Sequence, residues 1–404
     1  MSQVHIKAKK NMTRIVIIGG GPAGISTAQA LARTLTEADN TQVVLIEKSA
    51  FFYHTVGAPR AYVDASYTAK MFIPYDDAFP ASAAKFVRIV RGVATSISTE
   101  TNEVSYNYIG SDDKESVEAE KLQFDYLVLA MGSSYSVPIK QGNRDYARST
   151  TEAKLQEVRS QIESVEKIVV VGGGAVGCEV AAEIMFKYPT KTVTIIEAHN
   201  QLLAGNRLTD KFYKCLDASL EKLGVKVILG ERLTEKLSGN GLEKRTLRTD
   251  KGTEIESDIQ LLCGGFSPMA KLVGDMDSSL VTDRGAVKVN GQLQLESEKY
   301  GHIFALGDVC NHPSPKMAFI AGEQGRFVGG QLAAVIRKQQ LGFTKVFKAP
   351  GTAMIVLPLG PSGGVSQLPV FGGFVLGNWF TRMVKSKDYL AGMMWGNLNV
   401  AVPK

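Results

Sequence analysis

Arg14-Ile15-Val16-Ile17-Ile18-Gly19-Gly20-Gly21-Pro22-Ala23-Gly24 sets an apolar run against a glycine-rich turn. The small and apolar stretch Ile25–Leu35 follows, then a second apolar run, Val43–Ile46, which ends at Glu47, 28 residues after Gly19. Strand, Gly-x-Gly-x-x-Gly, helix, strand and acidic residue make up the full dinucleotide-binding signature. Gly19 permits the tight turn, Gly21 lets a pyrophosphate approach backbone N–H groups, and Gly24 lets helix and strand close up. Pro22 and Ala23 open the helix whose N-terminus meets the phosphates, and Glu47 can accept from ribose hydroxyls. A glycine-rich packing turn is the plain alternative, and it leaves the acidic residue at that distance unexplained.

The pattern recurs 153 residues later. Lys167–Val171 runs into Gly172, Gly174 and Gly177 at the same spacing, followed by the helical stretch Cys178–Phe186. Val193–Ile196 then ends at Glu197, 25 residues after Gly172. Two complete signatures predict two dinucleotide domains. Acidic residues at both strand ends repel a 2′-phosphate, so Glu197 predicts NADH at the second site. NADPH stays open, because nearby arginines can reverse that preference.

Apolar runs at Phe124–Ala130 (which leads into Met131-Gly132), Val225–Leu229, Ile259–Cys263 and His302–Leu306 alternate with helical spacers such as Asp210–Leu223. That alternation favours open α/β sheets over a bundle or a sandwich. Tyr106–Ile109 and Glu118–Leu122 read as a small antiparallel excursion. The predicted fold is α/β, two Rossmann-like dinucleotide-binding domains plus a small C-terminal α+β domain. The first domain is discontinuous, 12–137 and 275–346; the second is 138–274, and the third is 347–404. In the third, Met354–Leu359 and Val365–Leu368 read as strands, Gly377–Val384 and Tyr389–Gly396 as helices.

The 404 residues, 44% hydrophobic and 21% charged, suffice for large cores and exclude a collagenous, mucin-like or disordered chain. A net charge of +6 spread along the chain permits weak attraction to anionic cofactors or headgroups and identifies no specific nucleic-acid binder. The four cysteines, Cys178, Cys215, Cys263 and Cys310, lie far apart without metal-ligand or CxxC spacing. The stretch MSQVHIKAKKNMTR lacks the apolar run of a secretory signal, and no apolar run approaches 18 residues. The expected address is the cytoplasm, with the cytosolic face of a mitochondrial or lipid-droplet membrane as a further option.

Four more segments carry a resemblance: Phe51-Phe52-Tyr53-His54 with Ala58-Pro59-Arg60-Ala61, Gly307-Asp308, Pro315-Lys316-Met317-Ala318, and Lys385-Ser386-Lys387-Asp388. From Arg14 to Trp395 the chain resembles apoptosis-inducing-factor-like flavoproteins, in particular the mitochondrion-associated ferroptosis suppressor proteins. These stand within the pyridine-nucleotide-disulfide reductase superfamily, but without its redox cysteine pair. The resemblance implies FAD on the first nucleotide domain, NAD(P)H on the second, and a C-terminal segment that forms an interface, with a homodimer as an option. It also implies hydride transfer to FAD and onward reduction of quinones. Two departures are Pro59, where a bulkier apolar residue is expected, and Cys263-Gly264-Gly265 in place of Cys-Thr-Gly or Ala-Thr-Gly.

Hydride transfer needs a nicotinamide fixed beside an electron acceptor, rather than a triad or paired carboxylates. Asp308 is expected on the ribityl or pyrophosphate portion of FAD, its alternative being a helix cap. Arg60 offers a permanently charged fork for flavin or phosphate oxygens, and Val93 and Gly132 complete the expected cofactor contacts. Lys316 is the catalytic candidate on the flavin side, where a cation stabilises negative charge; an exposed loop lysine is the alternative. On the first reading Lys316→Met folds and retains FAD. Glu179, the second catalytic candidate, is expected at the nicotinamide ribose or carboxamide, with Glu183 one turn on supporting the helix entrance. A surface acidic face would explain both as well. His54 either lines the flavin cavity or is structural.

Phe371, Phe374, Trp379 and Phe380, followed by Arg382, Lys385 and Lys387, form either a packed core, the default reading, or an apolar surface rimmed by positive charge. The latter suits a quinone approached from a membrane face, that is, a peripheral membrane contact. The leading functional reading is therefore NADH to FAD to a quinone or similar small acceptor. A ferredoxin, rubredoxin or monodehydroascorbate reductase is the enzymatic alternative, and a nucleotide-responsive cell-death or signalling protein the non-enzymatic one.

Overall fold

The structure is a computed structural model and describes residues 12–349 and 354–403. Most of the polar N-terminal stretch read above lies outside the described residues. Contacts divide the chain into two units. One takes the described residues through Ala50, Asp76–Ser133 and Ser267–Phe347; the other takes Phe51–Tyr75, Ser134–Phe266 and the described residues from Lys348 onward.

The first unit is built on a seven-stranded sheet in the order Ile303–Ala305, Tyr126–Leu129, Thr13–Ile18, Thr41–Glu47, Val87–Ser98, Glu103–Ile109, Glu115–Gln123. The first five strands are parallel and the last two pairings antiparallel, so the expected excursion is present and extends this sheet. Ile15, Val16 and Ile17 are fully buried, as a parallel strand covered on both faces requires. From Thr13–Ile18 the sheet continues to Thr41–Glu47 on one side and Tyr126–Leu129 on the other. The C-terminal end of that strand is thus the switch point where doubly wound sheets bind ligands. Helices Pro22–Thr34 and Ala318–Ile336 cross closely, because Gly325 leaves no Cβ to strike the Ala23 carbonyl 2.2 Å from where one would stand.

The second unit repeats the plan. Its five-stranded sheet runs Lys226–Leu229, Thr192–Glu197, Lys167–Val171, Glu254–Leu262, Gly241–Arg248, parallel except for the last pairing. The switch point again follows the glycine-bearing strand. A three-stranded antiparallel sheet, Ile355–Pro358, Gly364–Leu368 and Phe374–Leu376, leads into the short helix Asn378–Thr381.

Here the structure departs from the sequence reading. Beyond Asn378–Thr381 the chain widens into a π-helical turn, Arg382–Ser386, and Ala391–Asn397 forms a separate helix. Tyr389 and Leu390 hold positive φ angles of 51° and 64°, so the predicted helix start at Tyr389 moves to Ala391. The packed-aromatic reading is corrected: Phe371 is 96% exposed, Trp379 76% and Phe374 48%. Leu357, Val365, Tyr389, Trp395 and Leu398 fill the interior of the segment instead. The predicted domain boundaries also differ from the contact units. Phe51–Tyr75 and the C-terminal segment group with the second nucleotide fold, tied there by the Arg60–Glu183 and Lys385–Glu179 ion pairs. Among the described residues, no helix is long and apolar enough to cross a membrane.

Candidate functional site

In the first unit, the Gly19–Gly24 turn is shaped as its sequence requires. Gly19 sits at φ +99°, and a Cβ at Gly24 would stand 1.8 Å from the Gly19 carbonyl oxygen, so helix and strand can close only on glycine. Gly21 is different: at φ −64° and ψ −172° it caps the helix without strain, and nothing lies within 4 Å of an added Cβ. Pro22 holds the first helical turn and Ala23 is buried behind it. Among the described residues no side chain caps this N-terminus, which leaves its N–H groups to a phosphate. Glu47 accepts from Gly20 N at 2.5 Å and Ser49 N at 2.9 Å, bracing the turn with the carboxylate expected to meet ribose.

Asp308 lies in the single turn Gly307–Val309, where the Ser133 hydroxyl donates to its Oδ2 at 2.8 Å. Asp308, Lys316, Met317, Ile320 and Gln324 line one cleft at the uncapped start of Ala318–Ile336. Gly132 follows strand Tyr126–Leu129 at φ +71° with open space beside it, and half-buried Val93 pairs with Asn107 in the long strand.

Lys316 is neither free nor exposed. Its ammonium donates to the carbonyls of Cys310 (2.7 Å), Gly307 (3.2 Å) and His312 (3.3 Å), closing the loop that presents Asp308. This changes the expectation for Lys316→Met. Methionine takes this donor from three carbonyls, of which Gly307 keeps only the Cys310 thiol, at a cost of about 1–3 kcal/mol, and loosens the Asp308 turn. Thermal unfolding and FAD release should both show the loss; unchanged values would return Lys316 to a purely electrostatic role.

In the second unit, Gly172–Gly177 repeats the geometry. Gly172 has φ +113°, Gly177 approaches the Gly172 carbonyl, and Gly174 leaves open space at an uncapped helix start. Glu197 accepts from Gly173 N at 2.7 Å and from His199 N at 2.9 Å, and the His199 ring lies 2.5 Å from its Oε1. Burial works to raise its pKa, but these donors hold it below the usual carboxylate range. Glu197 is therefore ionised at neutral pH.

The helix opened by this turn, Ala175–Lys187, carries a buried charged cluster. Glu179 pairs with Lys385 Nζ at 2.7 Å, the two side chains 5% and 15% exposed. One turn on, Glu183 accepts from Arg60 Nε at 2.7 Å and Nη2 at 2.9 Å, and Tyr389 Oη donates to it at 3.1 Å. Arg60 Nη2 also donates to the Ser386 carbonyl. The fork expected on a cofactor oxygen holds Glu183 here, and neither glutamate belongs to a surface acidic face. Burial pushes the Glu179 carboxyl up, and Lys385 pulls against that without cancelling it.

His54 Nε2 meets the Tyr389 carbonyl at 2.9 Å. A carbonyl only accepts, so that nitrogen carries the proton, and buried Nδ1 is an acceptor with no partner among the described residues. Burial lowers the ring's pKa to about 4, keeping it neutral. Sequence reasoning missed the pairing of Lys385 with Glu179, which lie 206 positions apart.

Uncapped helix starts, glycines that leave room at Gly21 and Gly174, paired acidic residues and an unpartnered buried acceptor at His54 fit dinucleotide cofactors. All four cysteines are free thiols, and Cys178, Cys263 and Cys310 are buried. Burial raises the Cys263 thiol to about 12, so it is unsuited to thiolate chemistry.

Comparison with known proteins agrees. Residues 13–325 match the family described as pyridine nucleotide-disulphide oxidoreductase. Human ferroptosis suppressor protein 1 is 30% identical over 406 residues, covering 100% of both chains, and the Xenopus tropicalis protein of that name is 30% identical over 399 residues, 97% of each. Apoptosis-inducing factor homolog B of Dictyostelium discoideum is 28% identical, over 96% of this chain and 98% of its own. In fold, the sulfide:quinone oxidoreductase of Aquifex aeolicus superposes with a TM-score of 0.72 at 15% identity, over 96% of this chain and 92% of that one. The NADH-bound water-forming NADH oxidase of Lactobacillus brevis gives 0.60 at 19% identity, over 88% and 75%. The chain belongs to the pyridine nucleotide-disulphide oxidoreductase family, as an FAD-dependent NAD(P)H oxidoreductase.

Proposed function

We propose that the protein takes hydride from NADH and delivers the electrons to a quinone-type acceptor at a lipid surface of the cytoplasm. One observation carries the acceptor: a single π turn, Arg382–Ser386, directs Met383 outward, 60% exposed, and Lys385 inward onto Glu179. Beside Met383 in sequence stand exposed Trp379, Arg382 and Lys387, and exposed Phe371 precedes the last strand of the segment. Exposed aromatics with adjacent cations suit an apolar acceptor drawn from an anionic membrane.

Bound FAD supplies the hydride-accepting and electron-passing chemistry. The protein's share is placement. Gly21 and Gly174 admit the two pyrophosphates, and Glu47 and Glu197 meet the riboses. Glu179 accepts from the nicotinamide carboxamide or ribose hydroxyl, with Lys385 held against it. Neutral His54 offers Nδ1 to a donor on the bound group.

The acceptor reading is tested with quinones that share a head group and differ in tail length, presented in anionic vesicles or in solution. Trp379→Ser with Phe371→Ser should raise KM for the vesicle-borne, long-tailed quinone at least fivefold and leave the soluble one unchanged. Equal KM values, or faster turnover with ferredoxin than with any quinone, would contradict it.

Donor choice rests on Glu197. A 2′-phosphate beside this ionised carboxylate should make kcat/KM for NADPH roughly tenfold lower than for NADH, about 1.4 kcal/mol. Glu197→Gln should narrow that gap. Equal use of both donors by the unsubstituted protein would remove the assignment.

A further inference from the structure

The cluster on Ala175–Lys187 holds two carboxylates one helical turn apart and two cations, and Tyr389 touches all of it but Glu179 directly. Its ring is fully buried. Arg60 Cζ lies 5.2 Å from the ring centroid and Lys385 Nζ 5.6 Å from it, both within cation–π range. The hydroxyl donates to Glu183, the backbone N donates to the Lys385 carbonyl at 2.6 Å, and the carbonyl meets His54. A π turn precedes this residue, and two successive left-handed non-glycine residues, Tyr389 and Leu390, place it. Such backbone is uncommon and persists only where the surroundings fix it.

Glu179 and Glu183 stand one turn apart on one helix, and Lys385 takes the first of them. Arg60 occupies Glu183 bidentately, and the aromatic ring offers both cations a shared wall. We propose that Tyr389 is a positioning residue whose ring, shared by Arg60 and Lys385, sorts the four charges into two fixed pairs and so keeps the Lys385 ammonium on Glu179. Its hydroxyl serves the other pair. A tyrosine that only fills the core would place no such demand on the electronic character of its ring.

This inference deepens the reading in which Glu179 contacts the nicotinamide nucleotide, and it rests on that reading for its effect on turnover. Glu179 is faced by Lys385 from the π turn, Glu183 from its own helix, Tyr389, Tyr135 and the neighbouring Cys178. Burial raises its carboxyl, Lys385 lowers it and Glu183 raises it. Slackening Lys385 therefore lets the carboxyl rise further and take up its proton at higher pH.

The test compares Tyr389→Phe with Tyr389→pentafluorophenylalanine in the FAD-loaded protein, two rings of nearly equal shape with opposite face charge. Infrared titration of the Glu179 carboxyl, assigned with Glu179→Gln, is the first readout; the acid limb of kcat/KM for NADH is the second. Tyr389→Phe should keep the wild-type midpoint. The fluorinated variant should raise it by about one pH unit, a tenfold change in proton affinity. Equal infrared midpoints in the two variants, or a shift already complete in Tyr389→Phe, would overturn the positioning role. A moved infrared midpoint with an unmoved kinetic limb would uphold it and contradict the catalytic reading of Glu179.

Discussion

Arg60→Met is expected to destabilise the protein by about 3–5 kcal/mol, the range for removing one partner of a buried ion pair. The Glu183 side chain is only 1% exposed, and Arg60 supplies two of its hydrogen bonds. Methionine keeps much of the volume but leaves a buried carboxylate with the Tyr389 hydroxyl as its remaining donor among the described residues. The Ser386 carbonyl loses its guanidinium donor as well. Adding Glu183→Leu should restore much of the loss, because both charges then leave together. Urea unfolding of the FAD-loaded single and double variants measures this directly. A single variant as stable as the starting protein would show that Arg60 does not balance Glu183.

Gly21→Val and Gly24→Val should fail in opposite ways. At Gly21 the backbone is extended and an added Cβ meets nothing, so valine folds; its branches then occupy the space a pyrophosphate needs. FAD affinity should fall at least tenfold, about 1.4 kcal/mol or more, with the circular dichroism of the folded protein unchanged. At Gly24 the added Cβ would stand 1.8 Å from a backbone oxygen, so helix and strand must part. That overpacking should cost about 3 kcal/mol or more and appear as lost folded protein, not only lost cofactor. Gly174 and Gly177 should divide the same way for NADH. Normal FAD occupancy in Gly21→Val would mean that this turn is not where the pyrophosphate lies.

The parts of the molecule that were legible in sequence are those in which local chemistry dictates local shape. Each glycine turn requires its strand before and its helix after, so Thr13–Ile18 and Lys167–Val171 fell within a residue of their predicted limits, and the acidic residues landed on the turns. Strand Val87–Ser98 escaped notice because Arg88, Thr95 and Ser96 lie exposed along it and break the apolar run. Helix Arg148–Ser164 escaped for a related reason: only Leu155, Val158 and Ile162 supply its apolar stripe, within an otherwise polar stretch. Lys316 could not be placed from its Pro-containing loop alone, since the carbonyls it gathers depend on how that loop turns.

The charged cluster was least legible. Arg60 and Glu183 are 123 positions apart, Lys385 and Glu179 206, and no periodicity links them. The one available signal was the i, i+4 spacing of two glutamates on a helix otherwise rich in apolar and small residues, Ala175–Lys187. Two carboxylates there demand two cations from elsewhere. The C-terminal aromatics were misjudged because composition cannot separate a core from an exposed face; the turn through Gly372 and Gly373, both at positive φ, turns Phe371 outward.

Anaerobic stopped-flow mixing of the purified FAD-loaded protein with NADH, followed by a quinone, tests the central claim most directly. The visible flavin absorbance should bleach on the timescale of turnover with one equivalent of NADH, more slowly with NADPH, and return when the quinone is added. Flavin absorbance that persists in excess NADH and NADPH, or bleached flavin that no quinone restores, would contradict it.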